Sequence, residues 1–242
     1  MGGVDMGNQN NNDKKQHQDQ HHEHHRDDVY QLDTPEQHQD YYDQWAKTYD
    51  DDFAHHHGYA YPERVARLFA KAASDHDHPI ADIGCGTGLI GEHLRQHLLT
   101  HAIHGFDISQ GMLDVADGKA MNGKPIYDGL FLADITQPLP QKYRQHYRGL
   151  ISTGTFTLGH LGPDALEHAL SMGANEALAL IGINAQHFHE KSFDQAFHNW
   201  QARGMISPVI WHEVDIYLDP DAAETDSLTA WVAEFRIKTV FK

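Results

Sequence analysis

A single cysteine, few basic residues and no long apolar run set the first limits on this 242-residue chain. Cys85 stands alone, so no internal disulfide can form, which fits a reducing compartment. Lysine and arginine total 18 against 35 acidic residues, a net charge of −17 with histidine neutral. A surface that acidic repels phosphate backbones and anionic membranes, and no Lys/Arg run offsets it. No stretch approaches the ~18 apolar residues that a membrane-spanning helix needs. Met1–Asp28 lacks the apolar segment of a secretory signal. The expectation is a cytoplasmic protein with neither a nucleic-acid nor a membrane partner.

Residues 1–28 are rich in Asn, Gln, His and Asp, and read as a disordered polar tail. The tail histidines and His55-His56-His57 lack the spacing that closes a tetrahedral site, so no metal is expected. From Thr34 the pattern changes. Thr34-Pro35-Glu36-Gln37 marks a helix start, with Tyr41, Tyr42, Trp45 and Tyr49 on one face. Pro62 opens a second helix through Val65, Leu68, Phe69 and Ala72.

Strand and helix signals then alternate. Strands are expected at Pro79–Ile83, Ala102–Asp107, Gly129–Ala133, Gly149–Ser152 and Ala177–Ile183. Helices are expected at Leu89–Leu98, Ser109–Ala116, Pro163–Met172 and Ser192–Arg203. Two last strands, Ile206–Tyr217 and Trp231–Phe241, have no helix between them. This order predicts an α/β fold: a mostly parallel sheet with helices on both faces and an antiparallel edge. Residues 34–242 are expected to form one domain, with a helical lid over about 36–74.

The chemistry concentrates at strand ends. Asp82-Ile83-Gly84-Cys85-Gly86-Thr87-Gly88 follows one strand and precedes a helix, whose first N–H groups and positive dipole end are free. Gly86–Gly91 is also a formal G-x-G-x-x-G, with Asp107 21 residues after Gly86, so an NAD-linked oxidoreductase is an alternative. A glycine-rich turn without a ligand is a third reading. The Asp82 carboxylate would repel a pyrophosphate and suit an ammonium group, such as that of S-adenosylmethionine. Asp107 ends the second strand and would accept two ribose hydroxyls. Asp134 ends the third and would accept an adenine amino group, with Ile108 and Ile135 against the ring. Three acids at successive strand ends occupy the edge where open α/β sheets bind ligands.

These residues make the chain resemble the class I S-adenosylmethionine-dependent methyltransferases. More narrowly, it is similar to the methyltransferase-like proteins named after the Williams-Beuren chromosomal region. The landmarks run from Tyr42-Asp43, Trp45-Ala46 and Tyr49-Asp50 through Asp82–Gly88. They continue at Asp107-Ile108-Ser109 with Met112-Leu113, Ala133-Asp134-Ile135, and Ile151-Ser152-Thr153-Gly154-Thr155-Phe156-Thr157 before Gly159-His160. The resemblance implies a Rossmann-like seven-stranded sheet of order 3-2-1-4-5-7-6, with S-adenosylmethionine as cofactor. It also implies that Tyr49 folds over the methionine end, and that Gly84, Gly86, Gly88, Met112 and Thr153 complete the cofactor shell. Two family features are replaced, by Tyr147-Arg148 before strand four and Met172-Gly173-Ala174-Asn175 before strand five.

Ser152-Thr153-Gly154-Thr155-Phe156 stands where an Asn/Asp-Pro-Pro-Tyr loop would mark amino methylation of bases or peptides. That subclass loses weight, and the expected acceptor is a small neutral or cationic molecule, methylated at oxygen or nitrogen. His160, on the loop after strand four, is the candidate general base. Cys85 reads as small filler and the Asp50-Asp51-Asp52 run as solvated. A cofactor-binding protein without catalysis remains a further reading.

Overall fold

The computed structural model describes residues 34–50, 58–98, 100–157, 161–218, 229–238 and 241. The tail at 1–28, His55–His57, His160 and the turn-rich loop between the last strands lie outside the described residues.

Thr34 caps the first helix, α1 (Pro35–Trp45), through a capping box. Its hydroxyl accepts from the Gln37 N–H, and the Gln37 side chain accepts from the Thr34 N–H. The helix α2 (Tyr61–Ala72) buries Tyr61, Val65, Ala66 and Phe69. Five parallel strands follow: β1 (Ile80–Ile83), β2 (Ile103–Asp107), β3 (Gly129–Leu132), β4 (Tyr147–Phe156) and β5 (Gly173–Asn184). Between them run α3 (Leu89–His97), α4 (Gln110–Asp117) and α5 (Pro163–Leu170). Then come α6 (Ala185–Glu190), α7 (Phe193–Ala202), and the antiparallel strands β6 (Ile210–Asp215) and β7 (Thr229–Arg236). The sheet order is β3-β2-β1-β4-β5-β7-β6, as the resemblance implied.

Every residue of β1 is buried, because helices cover both faces of the sheet. The faces alternate along each strand. Leu150, Ala177, Ala179 and Ile181 pack on the side of α5 and α7, whereas Ile80, Ile151, Leu178 and Leu180 pack on the side of α2 and α3. Among the described residues no helix is long and apolar enough to cross a membrane.

Several boundaries differ from expectation. The strand β4 runs on to Phe156, past the Thr153-Gly154-Thr155 segment that reads as a break. A register irregularity between Ser152 and Phe156, with Gly154 at φ +77°, absorbs the bend. The strand β5 begins at Gly173, and the two C-terminal strands are shorter than read. A two-stranded hairpin, Ala120–Met121 with Lys124–Pro125, and the short helix α6 carry too few apolar repeats to show a period.

The edge of the sheet opposite the site is tied by Asp77, which is 3% exposed and accepts from both terminal nitrogens of Arg236 on β7 at 2.5 and 3.1 Å. Burial alone would raise the Asp77 carboxyl. Bonds from Arg236 and from the Ser74 N–H and hydroxyl outweigh it and hold the group below its ordinary value. This stabilisation is complete above the unfolded-state value of ~4 and is lost as pH falls through the lower folded value. Asp77→Asn should therefore cost about 3 kcal/mol near neutrality. In denaturant melts, its deficit relative to the wild type should shrink as the pH is taken below about 4.

Candidate functional site

The site lies at the carboxyl ends of β1 to β5. There a cleft of about 470 Å³ opens between the sheet, α1 and the loop after β4. That volume suits a nucleoside-sized ligand.

The glycine loop after β1 hangs from the end of β2. Gly84 and Cys85 donate their N–H groups to the Phe106 carbonyl at 2.8 and 3.0 Å. Gly86 donates to Asp107 Oδ2 at 2.8 Å, and Ser109 donates to Asp107 Oδ1 at 2.9 Å. Gly86 has φ +53° and open space where a Cβ would sit, so its backbone is bare toward the cleft. Gly84, at φ +68°, has no such room. A Cβ there would lie 2.0 Å from the Thr155 hydroxyl, which itself donates to the Ile83 carbonyl.

Burial raises the Asp107 carboxyl above its ordinary value, while the N–H groups of Ser109 and Gly86 act against the shift. A carboxylate has about four lone-pair sites, so the N–H groups of Gly86 and Ser109, with that of Ile108, do not exhaust its acceptor capacity. Ser109 caps α4 by accepting from the Met112 N–H at 3.0 Å. Asp134 accepts from the Thr136 N–H at 2.8 Å, an ordinary aspartate turn that still lines the cleft.

Of the expected cofactor residues, the structure brings Tyr49, Gly84, Gly86, Asp107, Ile108, Met112, Asp134, Ile135 and Thr153 to this cleft. It does not bring Asp82 or Gly88. Asp82 is fully buried behind the loop and accepts the Tyr127 hydroxyl at 2.6 Å, so it is not placed to meet an ammonium group in the cleft. Gly88, at φ +93°, starts α3 with the Tyr127 ring 3.0 Å from where its Cβ would be. His160 is outside the described residues. Cys85 is 5% exposed and its thiol is pushed up by burial, as filler would be. Phe156, Phe188 and Trp200 belong to the core.

The reading of Asp50 as solvated is corrected. Asp50 accepts the Thr87 hydroxyl from the glycine loop and pairs with Lys119 at 2.6 Å. Asp43, which sequence reasoning gave no role, accepts from the Ser109 hydroxyl at 2.5 Å and the Gly111 N–H at 2.7 Å. Both acids thus pin the N-terminal segment onto the loop and onto the start of α4. The signal was present in the Tyr42-Asp43 and Tyr49-Asp50 pairs. The two pairs lie seven residues apart, with Asp43 in α1 and Asp50 past its end. Above them, Tyr49 packs edge-on against Trp45 at 4.7 Å, and burial raises its phenol well above the ordinary value. Tyr59, Leu161 and Lys191 also line the cleft and were not foreseen.

Burial raises the Asp82 carboxyl to about 7, the Tyr127 bond opposing the shift and the Asp107 charge adding to it. In the unfolded chain such a group titrates near ~4. Between those values the folded protein keeps a proton that the unfolded chain has lost, so this contribution to stability falls as pH rises. Asp82→Asn removes the dependence. Measured by denaturant melts, the variant should gain on the wild type by ~2–4 kcal/mol between pH 4 and pH 8. An unchanged difference would refute the buried, proton-retaining carboxyl.

Residues 80–175 match the family model of the methyltransferase domain. The biotin biosynthesis bifunctional protein BioHC of Saccharophagus degradans is 27% identical over 43% of this chain, which covers 25% of that protein's length. Among solved structures, a TehB-like SAM-dependent methyltransferase of Corynebacterium glutamicum aligns at 20% identity and TM-score 0.52, over 83% of this chain and 98% of that one. Magnesium protoporphyrin IX methyltransferase of Synechocystis, solved with bound SAM, aligns at 16% identity and TM-score 0.58, over 86% and 98%. At these identities the structural likeness concerns the fold. Residues 80–175 thus match a methyltransferase domain, and the chain's fold is like that of solved SAM-dependent methyltransferases.

Proposed function

We propose that this chain binds S-adenosylmethionine and transfers its methyl group to oxygen or nitrogen of a small molecule. The observation that carries the reading is the pairing of a bare glycine turn at Gly86 with the carboxylates of Asp107 and Asp134 in one cleft. Two carboxylates on this flank oppose a pyrophosphate and suit a hydroxyl-rich, unphosphorylated nucleoside. The methyltransferase-domain match and the likeness to methyltransferases solved with SAM or SAH support the same cofactor.

When bound, the cofactor supplies a sulfonium methyl group with its leaving group already built in. The protein's task is then to bind, orient and exclude water. Asp107 accepts the ribose hydroxyls while its bonds to Gly86 and Ser109 hold it still. Ile108 and Ile135 offer apolar contact to the base, and Asp134 accepts its amino group. Tyr42, Tyr49 and Tyr59 wall the cleft on the side of α1. His160 is assigned as general base on its place in the sequence after β4 and on the proton-accepting nitrogen of an imidazole.

The segment at 41–53 acts as a lid that cofactor orders, with Asp43 and Asp50 as its two attachments.

Two measurements test this. Calorimetric titration should show binding of S-adenosylmethionine and none of NAD. Asp107→Ala should lower the affinity at least tenfold, since it deletes charge-assisted bonds to the ligand and releases the Gly86 N–H. Binding of NAD instead, or unaltered affinity in the variant, would overturn the site. Separately, hydrogen exchange over 41–52 should slow on adding cofactor. Asp43→Ala should speed it in the free protein. Equal protection with and without cofactor would discard the lid.

A further inference from the structure

The cleft is electrically two-sided. Its carboxylates, Asp107 and Asp134, follow β2 and β3. The opposite flank is lined by Thr153 and Thr155 near the end of β4, by Leu161 after it and by Lys191 after β5. Lys191 is the only lysine, arginine or histidine among the described residues lining the cleft, in a chain with a net charge of −17. We infer that the methyl acceptor carries a carboxylate, and that Lys191 is the residue that pairs with it. This rests on the cleft being the methyl-transfer site, and it replaces the neutral or cationic acceptor expected from the sequence.

The position of Lys191 is built rather than incidental. It closes α6, its N–H donating to the His187 carbonyl at 3.0 Å. The His187 ring is buried and its Nε2 donates to the Leu161 carbonyl at 2.9 Å, which ties α6 to the loop after β4. Burial lowers the His187 pKa, with the Lys191 charge acting in the same sense and the bond to the Leu161 carbonyl against it. Among the described residues no carboxylate forms an ion pair with Lys191. The adjacent Glu190 accepts from Gln186 at 2.7 Å instead. An ammonium at the mouth of an acidic cleft, with no paired acid among the described residues, is a point charge available to a ligand.

The charge count selects the ligand class. One lysine balances one carboxylate. A phosphate ester, at about −1.5 to −2, would leave excess negative charge across the cleft from Asp107 and Asp134. The ion pair is exposed when formed at the mouth and strengthens as the acceptor displaces water from the Leu161 side.

The test uses matched probes: octanoate and benzoate against octanamide and benzamide, titrated by calorimetry into the full chain with and without S-adenosylhomocysteine. The acids should bind about tenfold more tightly than the amides. Lys191→Met should erase that preference, and Lys191→Arg should keep it. Affinity for S-adenosylmethionine should be the same in all three proteins. Equal binding of acids and amides, binding of neither, or a preference that survives Lys191→Met would each overturn the assignment. So would a loss of S-adenosylmethionine affinity in Lys191→Met, which would give Lys191 to the cofactor's own carboxylate. Failure of every protein to bind S-adenosylmethionine, with the acid preference intact, would instead overturn the cofactor reading.

Discussion

The bonds from Gly86 and Ser109 to the carboxylate of Asp107 hold the site in shape. A loop with glycines at φ +68° and +53° has many conformations open to it and would be expensive to order from contacts of its own. Here its order comes from β2. Two N–H groups bond the Phe106 carbonyl and the next bonds the Asp107 side chain, so three successive residues of the loop are held by two residues of the neighbouring strand. The parallel pairing of Asp82 with Gly105 and Ile83 with Phe106 brings those groups level. The cleft is therefore a product of sheet register, and its floor is as rigid as the sheet.

The same economy handles the charge. An acidic chain must place its carboxylates where they are bonded or solvated. Asp107 and Asp43 both meet backbone N–H groups at the start of α4, where the dipole favours a negative charge. Asp50 is met by Thr87 at the start of α3 and by Lys119, which also holds Glu92. The N-terminal segment is thus attached through acids seated at the amino ends of the two helices that follow β1 and β2. Attachments of this kind are partly solvated and polar, so they can release without exposing a large apolar surface.

The sheet, its order and the cleft edge were legible in the sequence because they rest on short-range signals. These were apolar strands separated by helical repeats, a glycine turn, and acids at strand ends. What was not legible depends on side-chain direction. Asp82 reads as a strand-end acid, but successive side chains point to opposite faces. Asp82 shares the face of Ile80, which packs with Tyr127 and α3, so it is turned away from the cleft. Strand extents went wrong where local irregularity hides continuity, as at Gly154 in β4. Lys191 and Leu161 were missed because no spacing relates them to the glycine loop. Only the fold of β4 against β5 brings them to one flank.

Tyr127 shows how a motif can be formally complete for another reason. In a dinucleotide site, the glycines of G-x-G-x-x-G serve the turn, the pyrophosphate and the packing of helix on strand. In this chain a Cβ at Gly88, Gly91 or Gly105 would fall 3.0, 2.5 or 3.2 Å from the Tyr127 ring. Two of the three glycines of the formal fingerprint, Gly88 and Gly91, thus have a steric reason to exist within the protein itself. The ring fills the space between β2 and α3, and its hydroxyl satisfies the one acid that would otherwise be buried with neither oxygen bonded among the described residues. The spacing of Gly88 and Gly91 therefore carries no information about phosphate. The residues that do face the cleft are Gly86, Asp107, Asp134 and Lys191, a bare backbone turn, two carboxylates and, on the other flank, one ammonium.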